Sequence, residues 1–224
     1  MTERPRIALI HATKVAIEPI ETAAKEIWAE AETFSILEEA LALDRQKHSD
    51  LTSDMNRRIV DLARYAEAAN ADGVLFTCSS FGDAISRANL DTNIPVMKPN
   101  EAMFDDAFSY GDNVTMIYTF PPAAPSMEAE FAEIAKAKGR DATLTSVLCE
   151  NALEAKKAGD VAAHDQMIAD TVAQITNADV ILFAQFSMAS AAPLAREGTH
   201  TPILTSPESA IKEVRQRVGA GRKD

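Results

Sequence analysis

A chain of 224 residues, 46% hydrophobic and 25% charged, has the length and composition of a globular protein with one domain or two small ones. The net charge of −12 and the lack of a long basic run argue against nucleic acid and anionic membrane surfaces as partners. No stretch approaches the ~18 apolar residues of a membrane span. The N-terminus lacks the apolar core of a signal peptide, and the two cysteines form no disulfide or metal pattern, so we expect a cytoplasmic protein with free thiols.

Short apolar runs alternate with helical periodicity in the first half of the chain. We predict strands at residues 7–10, 34–37, 73–77 and 94–97. Helices are predicted at about residues 20–30 and 52–70, where apolar side chains recur every three or four positions. Polar side chains follow two of the strands directly, with His11 after the first and Cys78 after the third.

A second round of the same kind follows. We predict strands at residues 114–119, 143–148, 180–184 and 203–204, and helices at about 126–138, 160–176 and 208–218. This alternation predicts an α/β fold of two similar lobes, each a mainly parallel sheet flanked by helices. The first lobe is residues 1–98, joined by a C-terminal helix at 206–224, and the second is residues 99–205. Ligands of such sheets bind at the carboxyl ends of the strands, so we expect the active site in the cleft between the lobes.

The run Thr77-Cys78-Ser79-Ser80 stands at the end of a buried strand and the start of a helix. The backbone N–H groups of Ser79, Ser80 and Phe81 would point towards the sulfur, and the helix dipole would lower the thiol pKa from ~8.5 to below ~7.5. The hydroxyls of this run can donate hydrogen bonds to a thiolate or to a substrate carboxylate. The alternative is a buried structural cysteine, but four consecutive small polar residues at a strand end favour a functional one.

Residues 74–82, which read Val-Leu-Phe-Thr-Cys-Ser-Ser-Phe-Gly, resemble the first cysteine motif of the aspartate/glutamate racemase superfamily. That superfamily includes hydantoin racemases, maleate cis-trans isomerases and arylmalonate decarboxylases. The resemblance covers nearly the whole chain in element order and is closest to a bacterial branch that carries the general family label. Further matching features are Leu9-Ile10-His11, Asp44, Asn100-Glu101-Ala102-Met103, Leu148-Cys149-Glu150 and Ala184-Gln185-Phe186-Ser187-Met188-Ala189.

The resemblance implies a cofactor-free homodimeric enzyme that acts on a small carboxylate-bearing substrate. In typical members two cysteines face each other across the cleft, one taking the α-proton and the other returning it from the opposite face. The second cysteine should follow the strand at residues 180–184, where this chain has Gln185. A glutamine cannot act as a base near neutral pH, but it can hold a carboxylate or enolate oxygen through hydrogen bonds. The two-thiol mechanism is therefore in doubt.

Two other residues at strand ends are candidates for catalysis alongside Cys78. Cys149 ends a strand of the second lobe and can either face the cleft as a second base or pack as an ordinary thiol at a helix terminus. His11 can supply a proton or bind an anionic group, or it can be a hydrogen-bonded structural residue. No His, Asp or Glu grouping has metal-ligand spacing, and no glycine-rich phosphate loop occurs.

The candidate substrate-binding residues all lie at or just after a strand end. They are Thr77, Ser79, Ser80, Thr119, Gln185, Ser187, Asn100 and Glu101. The resemblance matches Thr119 to a threonine that contacts the substrate carboxylate in relatives. Glu101 can be a base or orient another group, or it can be a first-turn carboxylate favoured by the helix dipole.

Three functions fit these residues. The first is a cofactor-independent racemase or epimerase, an isomerase that uses Cys78 as acid and base next to a carboxylate or carbonyl. The second is an isomerase or decarboxylase with a single active thiol, which acts on a small unsaturated or malonate-type acid. The third is a non-catalytic protein that binds small acids on the same fold. Gln185 favours the second on mechanism, whereas the family resemblance favours the first.

Overall fold

A computed structural model describes residues 4–221 of the chain, which divide into two compact units. The first unit comprises the described residues up to Pro99 together with those from Ala210 onward. The second unit comprises Asn100–Ser209. The predicted boundaries fall after residue 98 and before residue 206, and the far end of the predicted C-terminal segment, residues 222–224, lies outside the described residues together with residues 1–3.

The first unit holds a sheet of four parallel strands in the order β2-β1-β3-β4. Its strands are β1 (Arg6–His11), β2 (Glu32–Leu37), β3 (Gly73–Phe76) and β4 (Val96–Met97). Its helices are α1 (Ile17–Ile27), α2 (Glu39–Arg45), α3 (Ser53–Ala68) and α4 (Gly82–Asp91). Thr52 caps α3 by accepting a hydrogen bond from the N–H of Met55, so this helix begins where its capping residue predicts.

The second unit repeats this arrangement with a parallel sheet in the order β6-β5-β7-β8. Its strands are β5 (Asn113–Tyr118), β6 (Thr143–Leu148), β7 (Val180–Phe183) and β8 (Ile203–Thr205). Its helices are α5 (Glu101–Ala107), α6 (Ala124–Ala137), α7 (Ala152–Lys157), α8 (Val161–Ala173) and α9 (Ala192–Glu197). Helix α10 (Ser206–Gly221) begins in this unit and continues into the first.

The predicted fold class is confirmed, with two similar units that each have a parallel sheet flanked by helices. The central strands are buried on both faces, which explains why they read as continuous apolar runs. In the second unit, Met116 and Leu182 pack into one apolar cluster and Ile117 and Phe183 into another. The strands therefore form the rigid layer of each unit, and their carboxyl ends carry the polar residues predicted to have a function.

Among residues 4–221, no helix has both the length and the hydropathy needed to cross a bilayer. Cys78 and Cys149 are both free thiols. The part of the chain that the structure describes contains no group of three or more His, Cys, Asp or Glu side chains that could hold a metal ion.

Candidate active site

Strand β3 carries Cys78 to the carboxyl end of the first sheet. The N–H of Thr77 donates to the carbonyl of Ile10 over 2.9 Å, which extends the pairing of β1 and β3 beyond the last strand residue. Cys78 itself has an extended backbone, and a short 3₁₀ turn over Ser79–Phe81 begins directly after it and leads into α4. The thiol thus lies where the chain passes from strand to helix.

The surroundings of Cys78 hold its thiol in the protonated form. The residue is half-buried and packs against the apolar core of the first unit. Burial raises the pKa of the thiol, and the N–H and hydroxyl of Ser80 and the charge of Arg45 offset this only in part. The predicted lowering of the pKa is therefore wrong, because desolvation outweighs the donors at the helix start. A protonated thiol is equipped to give a proton before it can accept one.

The two serines after Cys78 are both buried, with Ser79 5% and Ser80 1% exposed. The hydroxyl of Ser80 makes no hydrogen bond of normal geometry to another described residue. It nevertheless lies close enough to the thiol to lower the thiol pKa. A buried hydroxyl without another partner is costly, so Ser80 gains most when Cys78 ionises or a ligand oxygen approaches.

His11 and Thr77 belong to one chain of hydrogen bonds beside Cys78. The Nδ1 of His11 lies 2.9 Å from Oγ1 of Thr77, and its Nε2 lies 3.2 Å from Oγ of Ser35. The hydroxyl of Ser35 donates to Oε1 of Glu21 over 2.9 Å. The hydroxyl of Ser35 gives its single hydrogen to Glu21, so Nε2 of His11 donates to Ser35. The single hydrogen of the Thr77 hydroxyl has two acceptors within reach, the carbonyl of Ile10 at 3.3 Å and Nδ1 of His11. These bonds fix the side chain of Thr77.

Burial also decides the charge of His11. The residue is 1% exposed, and desolvation lowers its pKa to about 4, although the negative charge of Glu21 opposes the shift. His11 is therefore neutral near pH 7, and both ring nitrogens are engaged with hydroxyls. In this state the imidazole orients Thr77, whereas the predicted supply of a proton or binding of an anion would require the ring to charge or to release a partner.

In the second unit, Gln185 and Thr119 are bound to each other. Oε1 of Gln185 accepts the N–H of Thr119 over 2.8 Å and its hydroxyl over 3.3 Å, while Nε2 reaches Sδ of Met127 at 3.8 Å. The two residues follow β7 and β5, which are paired neighbours in the sheet. The N–H and hydroxyl of Thr119 thus converge on one position, which the side-chain oxygen of Gln185 occupies. The amide N–H group of Gln185 retains only the weak sulfur contact and is the part that can bind a ligand.

Three further candidates lie near these strand ends. Asn100 is fully buried at the N-terminus of α5, where its Oδ1 accepts the hydroxyl of Ser206 over 2.7 Å. Its Nδ2 has no hydrogen-bond partner among the described residues. Glu101 is half-buried at the first position of α5, and Ser187 is buried in the 3₁₀ turn over residues 186–191. Of these three residues, Asn100 is therefore the one whose buried amide N–H group can still bind a ligand.

Cys149 occupies an apolar setting. It follows β6, with its N–H donating to the carbonyl of Tyr118, and it is 4% exposed. Its sulfur accepts a hydrogen bond from the hydroxyl of Thr171 at 3.3 Å, and the side chain packs in the core of the second unit beside Ile168. Burial raises the pKa of this thiol as well. These are the surroundings of a structural cysteine.

Three residues of the first unit were not predicted from the sequence. Ser35 and Glu21 complete the hydrogen-bond chain of His11. Arg45, at the end of α2, is 7% exposed and donates to the carbonyl of Ser80. Arg45 lies four residues after the apolar Leu41, and this spacing places both on one helix face. That spacing is the feature of the sequence that indicates a buried position for Arg45.

No family model and no curated protein matches the chain. Solved structures, however, share its fold. Glutamate racemase from Francisella tularensis, in complex with D-glutamate, has a TM-score of 0.75 at 12% identity, over 98% of this chain and 82% of that one. Allantoin racemase from Klebsiella pneumoniae has a TM-score of 0.72 at 14% identity, over 97% of this chain and 89% of that one.

A cysteine-substituted mutant of arylmalonate decarboxylase has a TM-score of 0.68 at 16% identity, over 98% of this chain and 95% of that one. The protein therefore shares the two-unit α/β fold of these racemases and of the decarboxylase, which is the fold that the resemblance predicts. Identities of this size show the fold alone, and the chemistry of this chain has to be argued from its own residues.

The buried His11 predicts a specific dependence of stability on pH. Its folded-state pKa of about 4 lies below the ordinary value of 6.5, so the unfolded chain binds the proton more readily. The contribution of His11 to stability is full above pH ~6.5 and is lost as the pH falls towards ~4. Between pH 7 and pH 4.5, the wild type should lose about 2–3 kcal/mol of unfolding free energy more than His11→Gln. Urea unfolding at both pH values measures this difference, and parallel losses in the two proteins would contradict it.

Proposed function

We propose that the protein is an enzyme that transfers a proton to the carbon next to the carboxylate of a small acid, with Cys78 as the only thiol in the reaction. The observation that carries the proposal is the protonated, half-buried thiol at the end of β3, with the N–H and hydroxyl of Ser80 acting on its sulfur. Gln185 follows β7, the position at which the family resemblance implies a second thiol, and Cys149 lies in an apolar core. These features support an asymmetric reaction.

The proposed chemistry suits a malonate-type acid. Loss of carbon dioxide breaks the bond to one carboxyl group and leaves the electron pair on the α-carbon as an enediolate. The S–H group of Cys78 then gives its proton to that carbon, and the thiolate that remains takes a proton from water. The N–H and hydroxyl of Ser80 act on the sulfur and would stabilise the thiolate in the interval. The hydroxyls of Thr77 and Ser79 are proposed to bind the carboxylate that stays.

Racemisation or epimerisation is the second candidate, and the fold favours it because glutamate and allantoin racemases share that fold. It requires a second base on the other face of the α-carbon. Gln185 cannot fill that role, and His11 holds its Nδ1 against Thr77. A water molecule would then have to serve as the second base, and both product configurations would appear.

Solvent deuterium distinguishes the thiols. In heavy water, a panel of aryl- and alkylmalonates, amino acids and hydantoins should show α-deuterium incorporation for at least one compound with the wild type. Cys78→Ala should lower that rate by about 100-fold or more, because a positioned proton donor contributes 10²–10⁴-fold. Cys149→Ala is the matched control and should keep the rate. A full rate in Cys78→Ala, or equal losses in both variants, would rule out a single active thiol.

Substitution of Gln185 tests the asymmetry. Gln185→Cys supplies a thiol after β7, so its product should contain both configurations where the wild type gives one. Gln185→Ala frees the two donors of Thr119 without adding a thiol, and it should leave the configuration of the product unchanged. Chiral chromatography of the deuterated product measures the ratio. The proposal would be wrong if the wild type already gave a racemic product by enzymatic exchange.

A further inference from the structure

Arg45 is a buried cation in the first unit whose setting calls for an explanation. It ends α2 and is 7% exposed, on a helix whose Leu41 and Ala42 pack in the same core as Cys78. Burial of a guanidinium costs free energy unless its N–H groups are hydrogen-bonded and its charge is stabilised by neighbouring groups. The contacts of Arg45 indicate which groups these are.

The guanidinium joins two backbone segments. Its Nε donates to the carbonyl of Ser80 over 3.4 Å, and its Nη1 donates to the carbonyl of His48. The rigid plane of arginine allows one side chain to fix both carbonyls at once, which a lysine cannot do with the same geometry. Ser80 is the residue whose N–H and hydroxyl act on the Cys78 sulfur. Arg45 therefore holds the 3₁₀ turn that carries the donors of the thiol.

We propose that Arg45 is a positioning residue for Cys78, which fixes the turn over Ser79–Phe81 and supplies the positive charge that stabilises the thiolate left after proton transfer. This inference rests on the proposed role of Cys78 as a proton donor. The need for such a charge follows from the site, because an apolar setting that keeps the thiol protonated also makes the thiolate costly. The positive charge of Arg45 acts in the required direction and lowers the thiol pKa.

The test follows the ionisation of Cys78 without any substrate. Iodoacetamide alkylation of the Cys78 peptide is measured by mass spectrometry from pH 7 upward until the rate reaches its plateau, for the wild type, Arg45→Gln and Arg64→Gln. Arg64 pairs with Asp61 and Asp91 on the exposed face of the unit, so its variant changes the net charge equally. Arg45→Gln should slow alkylation about threefold or more at pH 8, because loss of the positive charge raises the thiol pKa further. The difference should disappear only as the pH passes the raised pKa of the thiol, and Arg64→Gln should match the wild type.

Two results would overturn the proposal. One is a profile for Arg45→Gln that matches the wild type, and the other is a lower plateau rate at high pH with an unchanged midpoint, which reports access to the sulfur and not its ionisation. Where circular dichroism shows that Arg45→Gln does not fold, Arg45→Lys decides. Lysine keeps the charge but cannot fix both carbonyls, so a smaller displacement to higher pH is expected, and a profile identical to wild type contradicts the positioning role.

The alkylation result and the exchange result are independent. A displaced alkylation profile together with no α-deuterium incorporation would uphold Arg45 and reject the proposed function. Exchange that depends on Cys78 together with an unchanged profile would do the opposite.

Discussion

Burial of the Cys78 sulfur at the end of β3 keeps the thiol protonated, and the neighbouring groups are arranged around that state. Desolvation raises the thiol pKa, while Ser80 and Arg45 act against it without reversing it. For the proposed reaction, such a balance suits a proton donor whose conjugate base is stabilised once it forms. A thiol that was ionised at rest would instead begin the reaction as a base.

The two units show how one topology can carry different chemistry. Both sheets have the same strand order, and in both a 3₁₀ turn follows the third strand of that order. In the first unit the residue before that turn is Cys78, and in the second it is Gln185. The glutamine amide is bonded to Thr119, so the second position is occupied by a neutral group that holds its neighbour in place. The two units share a backbone arrangement and differ in the side chain at this position.

Much of this arrangement could be predicted from the sequence, because the buried parallel strands give continuous apolar runs and each ends in polar residues. The fold class and the position of Cys78 after β3 follow from those patterns. The pKa direction of Cys78 could not be predicted in this way. A helix start provides backbone donors, but much of the apolar core that Cys78 packs against comes from segments distant in sequence, such as Ile10 on β1 and Leu41 on α2.

The same limit applies to the partners of each candidate. The sequence places His11 at a strand end, but its neutral state depends on Ser35 from β2 and Thr77 after β3, which only the sheet pairing brings together. Cys149 has a similar position along its strand, yet its sulfur contacts Thr171 of α8 and packs in the core of the second unit. Arg45 belongs to a short helix with too few residues for a clear periodic pattern.

The state of the Cys78 thiol at neutral pH is the central claim, and its S–H stretching band in the infrared spectrum reports that state directly. The difference spectrum between the wild type and Cys78→Ala, recorded at pH 7 and without ligand, isolates the band from that of Cys149. The account predicts a full S–H band for Cys78 at pH 7 that is lost only above the ordinary pKa of a cysteine thiol. Absence of the band at pH 7 would show a thiolate at rest and would contradict the account.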